Sequence, residues 1–174
     1  MIDPEQLLGK DNIRRQLLDA ALFLLAYELL RSSIVEGVKE FFCDGFGENG
    51  STYSDEYYSK VLPRAKHVFE ASLIFLVEVE AISEDEKTKI QALREHRNEV
   101  AHDIPSAIFE VKKRVDLGKL QLAGQLLHKI DNFWGRVEAD VNPDFENEEI
   151  DYEGITSIRS EVYKYIEAVA RDDT

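Results

Sequence analysis

Apolar positions recur every three to four residues along most of this chain, the period of helices that bury one side. Asp3-Pro4-Glu5-Gln6 reads as a helix cap with proline at the first helical position. A long helix follows to about Phe42, with an interruption near Gly9 to Asp11. Leu17, Ala21, Leu24, Leu25 and Tyr27 to Leu30 are its expected buried side, flanked by Arg14, Arg15 and Arg31. A second helical segment spans about Asp55 to Ile82, broken near Pro63, and its part from Val68 to Val79 is apolar nearly all round, which predicts a centrally buried helix. Ser83-Glu84-Asp85-Glu86 spells a capping box. The helix it opens should end before Pro105, which disfavours helical geometry at Ile104.

A short helix is expected over Pro105 to Val115. Asp116 then caps a helix over Leu117 to Ala139, with Leu120, Leu127, Ile130, Phe133, Trp134 and Val137 toward the core. A last amphipathic helix runs from about Ile155 to Ala170, its apolar side made of Ile158, Val162, Tyr165, Ile166 and Val169. No strand is evident. Residues 43–54 read as a glycine-rich flexible loop, and residues 138–153, with eight acids and no Lys or Arg, as a solvated linker. The expected fold is therefore all-α, a four-helix-bundle-like single domain over 1–174 with one or two extra short helices, antiparallel where loops are short.

Composition narrows the setting. At 174 residues and 44% hydrophobic content the chain can bury one core. Its single cysteine, Cys43, excludes an internal disulfide framework and suits a reducing cytoplasm. The opening residues lack the basic region of a signal peptide, and the most apolar run, Ala20 to Tyr27, is closed by Asp19 and Glu28. That run is far short of the roughly 18 to 20 residues a membrane span needs, so a soluble cytoplasmic protein without a membrane partner is expected.

Several patterns imitate sites. Gly45-Phe46-Gly47-Glu48-Asn49-Gly50 matches G-x-G-x-x-G, but that motif works only between a strand and a helix in a βαβ unit. Tyr53, Tyr57 and Tyr58 can stack bases or simply pack a loop. His67 with Glu70, and the lone Glu99-x-x-His102, offer too few ligands for a metal centre. Asp140, Asn142 and Asp144 resemble the start of a calcium loop, yet its sixth position, which needs glycine, is Phe145. His128 reads as a satisfied structural histidine. No metal or cofactor is expected.

The stretch that concentrates chemistry is Leu93-Arg94-Glu95-His96-Arg97-Asn98-Glu99-Val100-Ala101-His102-Asp103-Ile104-Pro105. On a helical wheel Ile90, Leu93, Val100, Ala101 and Ile104 form an apolar arc with Arg97 in its middle. A guanidinium stays charged at any accessible pH and needs a partner when buried, which means a carboxylate, a subunit seam or an anionic ligand. Asn98 and His102 lie one turn apart on the neighbouring face. His102 falls in the last turn, at the negative end of the helix dipole. Formal net charge is −14, against a polyanion ligand at first sight. Between Lys87 and Val115, however, seven Lys/Arg meet four acids, a local +3 on a body of −17. A basic cleft of that kind focuses an anionic substrate.

Arg97-Asn98-x-x-x-His102 resembles the Arg-polar-x-x-x-His motif of the HEPN superfamily, small helical domains many of which are ribonucleases in toxin, defence or RNA-processing systems. The resemblance covers six residues, set at a helix end in a chain that reads as helical throughout. It implies a metal-independent endoribonuclease in which two protomers line one cleft. In that reading His102 is general acid or base at a 2′-hydroxyl, Arg97 stabilises the charged phosphorane and Asn98 orients one or the other. Arg94, Lys112, Lys113 and Arg114 would contact substrate phosphates, and RNA, a second copy and an unidentified antitoxin or other protein would be the partners. A toxin subgroup continues its motif as His-x-Tyr, a target of nucleotidyl modification. Here the residues are His102-Asp103-Ile104, so that control is not implied.

Two other classes stay open: a HEPN-like domain that binds RNA or protein without cutting, and a structural dimerisation domain. In the last, residues 94–103 form an ordinary charged helix end, with Arg97 buried against a carboxylate such as Glu70 or Glu78.

Overall fold

The computed structural model describes residues 9–48, 50–103, 115–145, 150–152 and 154–172, the side chains of the last two excepted. The expected cap at Asp3 lies outside these residues, as does nearly all of the short helix expected over 105–115. The described chain is mostly helical. Helix α1 (Lys10–Phe41) leads into a hairpin of β1 (Cys43–Gly47) and β2 (Gly50–Tyr53), then a π-helical turn (Tyr57–Val61) and a 3-10 turn (Leu62–Arg64). Helices α2 (Val68–Glu78), α3 (Glu84–His102), α4 (Leu117–Val141) and α5 (Ile158–Asp172) complete it.

Helix α1 is the hub. Its 32 residues span about 48 Å at 1.5 Å per residue, and it packs on α2, α3, α4 and α5 alike. Phe23, Ala26, Leu30, Ile34 and Val38 on α1 are fully buried, together with Leu73 and Leu76 of α2, Ile90 of α3, and Leu127 and Ile130 of α4. The expected central helix α2 is buried on most sides, yet Val68 and Val79 at its two ends are exposed. It is a flank of the core rather than its axis.

Two expected faces are turned in part. On α1, Leu17 and Leu25 are 44% and 47% exposed, and Ala21 is exposed too, while Tyr27 and Leu30 are buried as expected and Ala20 and Phe23 are buried with them. On α5, Ile158, Val162, Tyr165 and Val169 are exposed, whereas Ile166 is buried as expected and Ser160, Tyr163 and Ala170 are buried with it. Both helices carry apolar side chains on more than one side, so periodicity alone left their rotation open.

The buried polar residue Ser160 is explained by its partner. Asp131, inside the core on α4, accepts hydrogen bonds from the hydroxyls of Ser33 on α1, Ser157 before α5 and Ser160 on α5. Ser157 in turn accepts from the Ser160 backbone N–H at 3.0 Å, capping the start of α5. One carboxylate thus fixes three helices.

Two of the close approaches that need glycine seat aromatic rings. Gly124 lets the Tyr163 ring lie directly on α4, and Gly37 does the same for Trp134 on α1; a β-carbon at either position would collide with the ring. Tyr163 then donates to the Leu120 carbonyl at 2.7 Å and Trp134 Nε1 to the Ser33 carbonyl at 3.1 Å.

Within residues 43–54, expected as a loop, Cys43–Gly47 and Gly50–Tyr53 pair as antiparallel strands, with Gly47 opposite Gly50. Gly50 takes φ 107°, a conformation open to glycine. The strands are short, polar and exposed, so they carry no alternation of apolar residues to betray them. A strand, not a helix, follows β1, which removes the context that a phosphate-binding G-x-G-x-x-G requires; Asn49 of that motif lies outside the described residues. Among the described residues no helix is long and apolar enough to cross a membrane.

Candidate functional site

Helix α3 starts and stops where its end signals say. The Ser83 side chain accepts from Glu86 N–H at 3.2 Å, and Glu86 Oε2 accepts from Ser83 N–H at 2.7 Å, closing the capping box. Glu86 also receives Lys129 of α4 at 2.7 Å, so the cap doubles as a tie between helices. At the other end His102 occupies the last turn and Asp103 caps the helix.

The inward stripe of α3 differs from the expected arc, of which Ile104 lies outside the described residues. Ile90, Leu93, His96 and Val100 are buried, and His96, not Arg97, stands in the middle. Ala101 is exposed. Spacings of three, three and four residues fit the helical period as well as the arc read from the sequence, and the neighbouring helices chose between them. The His96 ring meets Phe23 edge-on at 4.9 Å. Its Nδ1 lies 3.5 Å from Glu99 Oε2, and Nε2 has no hydrogen-bond partner among the described residues. Burial, helped by the nearby Lys119 charge, holds the imidazole below its ordinary pKa, against the opposing pull of Glu99.

Arg97 lies beside that stripe, half-buried over the Tyr27 ring at 5.9 Å. Its Nη2 donates to Glu28 Oε1 at 2.7 Å and its Nη1 to Asn98 Oδ1 at 3.4 Å, while Nε is enclosed without a hydrogen-bond partner among the described residues. Neither carboxylate suggested by the sequence holds it: Glu70 receives Arg94 at 2.7 Å and Gln91 at 3.1 Å, and Glu78 receives Arg64. Burial is the main cause that pushes the Tyr27 hydroxyl up to about 12, with Glu28 adding to it and Arg94, Arg31 and Arg97 opposing. Tyr27 is therefore a neutral platform under the guanidinium at physiological pH.

Asn98 and His102 are both exposed. Arg97 and His102 are about 140° apart around one ideal helix, and in the single chain Arg97 turns to Glu28 rather than toward His102. The structure therefore places Arg97, Asn98 and His102 on the last turns of α3 without joining them in a cleft. Arg94 is committed to Glu70 and stacks at 5.4 Å over Phe69. Lys112, Lys113 and Arg114 lie outside the described residues.

The fold also changes the local charge. Lys87 pairs with Glu84 at 3.0 Å and Lys89 with Asp85 at 2.6 Å, and Glu70 and Glu28 come from other helices to meet Arg94 and Arg97. Four of the seven bases counted along that stretch are thus paired with acids from outside it. Glu28 and Tyr27 went unmarked as site residues. Their signal was the placement of an acid at the end of an otherwise apolar run.

The remaining candidates settle as packing or surface. Tyr57 is buried, with Tyr53 at 5.2 Å and Tyr58 at 5.6 Å from its ring, and they hold the segment after the hairpin in place. His128, expected to be structural, is exposed beside Lys164 and Glu167 in a groove between α4 and α5. Asp140 accepts from the Tyr152 hydroxyl at 2.8 Å, and the Asn142 side chain from Asp144 N–H at 3.0 Å. Among the described residues no three His, Cys, Asp or Glu side chains are grouped to hold a metal ion. No family model matches the chain, and neither does any curated protein or solved structure.

Proposed function

We propose that the chain is a HEPN-type, metal-independent endoribonuclease that acts as a homodimer. The observation that carries this reading is the end of α3, where Asn98 and His102 are exposed and Arg97 reaches Glu28 of α1. Leu17, Ala21 and Leu25 follow one side of α1 up to Glu28, the partner of Arg97. A second copy seated on that side brings its own α3 end alongside, which supplies the convergence one helix cannot give. His102 then moves protons at the 2′-hydroxyl and leaving oxygen, Arg97 balances charge on the phosphorane, and Asn98 orients the phosphate.

The Arg97–Glu28 pair is compatible with this role. Its side chains are 36% and 43% exposed, and such partly solvated pairs contribute about 1 kcal/mol or less. A substrate phosphate, which offers bidentate acceptors to a guanidinium, can displace the carboxylate.

The same pair favours a second reading, in which Arg97 only anchors α3 to α1 and the domain binds RNA or protein, or dimerises, without turnover. Cleavage of a mixed RNA pool in the presence of EDTA tests the two. The ribonuclease reading expects cutting by the wild type that is lost in His102→Ala and Arg97→Ala while both remain folded. Wild-type protein that is inert across salt and pH rejects it.

A further inference from the structure

At the far end of α1, its last turns meet those of α4 around a groove of about 520 Å³. Glu40 and Phe41 form one wall, and Trp134, Val137, Glu138 and Val141 the other. Phe41 is 50% exposed and Val141 72% exposed. The Phe41 and Trp134 rings lie 5.9 Å apart and tilted by 38°, so the floor is a continuous aromatic surface. Contiguous apolar surface of this kind marks interaction sites. The indole is held from below by its hydrogen bond to the Ser33 carbonyl at 3.1 Å, a fixed platform rather than a mobile side chain.

Charge selects the occupant. Glu40 stands on one wall and Glu138 on the other, and the nearby Arg159 is drawn between Glu40 at 3.8 Å and Asp131 at 3.9 Å. The Glu40 and Glu138 carboxylates on the two walls repel lipid and nucleic-acid phosphates and favour Lys and Arg. We propose that the groove docks a partner protein through a basic amphipathic helix. Its apolar residues cover Phe41, Trp134 and Val141, and its cations meet Glu40 and Glu138. The groove lies 9 to 13 residues beyond Glu28 on α1, about 14–20 Å along the helix. An occupant leaves the Arg97 edge open, and the inference does not depend on the nuclease reading.

The test uses the full chain and a fluorescein-labelled synthetic Leu/Lys amphipathic helix, with a Leu/Glu helix of the same spacing as control. Trp134 is the only tryptophan, so its emission reports the groove directly. The proposal expects saturable binding, a blue shift of Trp134 emission, and affinity for the Leu/Glu helix weaker by about tenfold or more, about 1.4 kcal/mol. Val141→Asp and Glu138→Lys should each weaken binding to a similar degree with unchanged far-UV circular dichroism. Val141→Asp adds negative charge, so unchanged or tighter binding would mean bulk attraction to an acidic chain and would overturn the proposal. Binding without a Trp134 response overturns it too. So does self-association of the wild type that Val141→Asp dissolves, because the occupant would then be a second copy.

Discussion

The Arg97 guanidinium reaches the Glu28 carboxylate at 2.7 Å across the contact between α3 and α1, joining residues 69 apart in the chain. The two proposed roles of Arg97 diverge at this bond. If the pair is a modest surface tie and Arg97 acts on phosphate, Arg97→Ala should lower unfolding free energy by about 1 kcal/mol and abolish RNA cleavage. If Arg97 is chiefly an anchor, the loss should be larger, because the variant also gives up its packing over the Tyr27 ring, and there should be no cleavage to lose. Urea unfolding of the variant beside its cleavage assay separates them, and Glu28→Gln should keep most cleavage in the first case.

Asp131 is the acceptor for three hydroxyls from three parts of the chain. Asp131→Ala leaves Ser33, Ser157 and Ser160 without that acceptor inside the core, and should cost about 3 kcal/mol in urea unfolding. Asp131→Asn keeps one carbonyl oxygen and should cost distinctly less. A neutral Asp131→Ala would show that the hydroxyls find other acceptors.

Gly124 gives a test of sign. Alanine in an exposed helix interior is better than glycine by about 1 kcal/mol. Here its β-carbon meets the Tyr163 ring, so Gly124→Ala should instead destabilise by about 1–3 kcal/mol through overpacking. Thermal unfolding decides it, and a raised Tm would mean that α5 can shift away without loss.

His96 makes stability depend on pH. Its folded-state pKa is depressed, mainly by burial, so below the unfolded pKa of roughly 6.5 the unfolded chain takes up a proton that the folded chain resists. The contribution is fully present above that pH and is lost as pH falls toward the folded value. Unfolding free energy should drop between pH 7.5 and 5.5 in the wild type, and the drop should shrink in His96→Leu. An identical pH profile in both proteins would assign the effect elsewhere.

Local chemistry made the helix ends legible. The capping box at Ser83 and Glu86, the Asp116 cap with its 2.9 Å bond from Gly118 N–H, and the end of α3 before Pro105 each involve groups within a few residues of one another. A short segment carries all the information they need. The candidate edge was legible to the same extent: Arg97, Asn98 and His102 do lie on the last turns of one helix.

The sequence by itself therefore determined a mostly helical chain and where α1, α3 and α4 lie along it. Tertiary structure decided how each helix is rotated, because α1 and α5 are apolar on more than one side and only their neighbours select the buried one. That selection placed His96 rather than Arg97 on the core-facing stripe, brought Glu28 to Arg97 and Glu70 to Arg94, and closed Asp131 on its three serines. Pairing across tens of residues depends on distances that no local pattern encodes, which is why those partners emerged only with the fold.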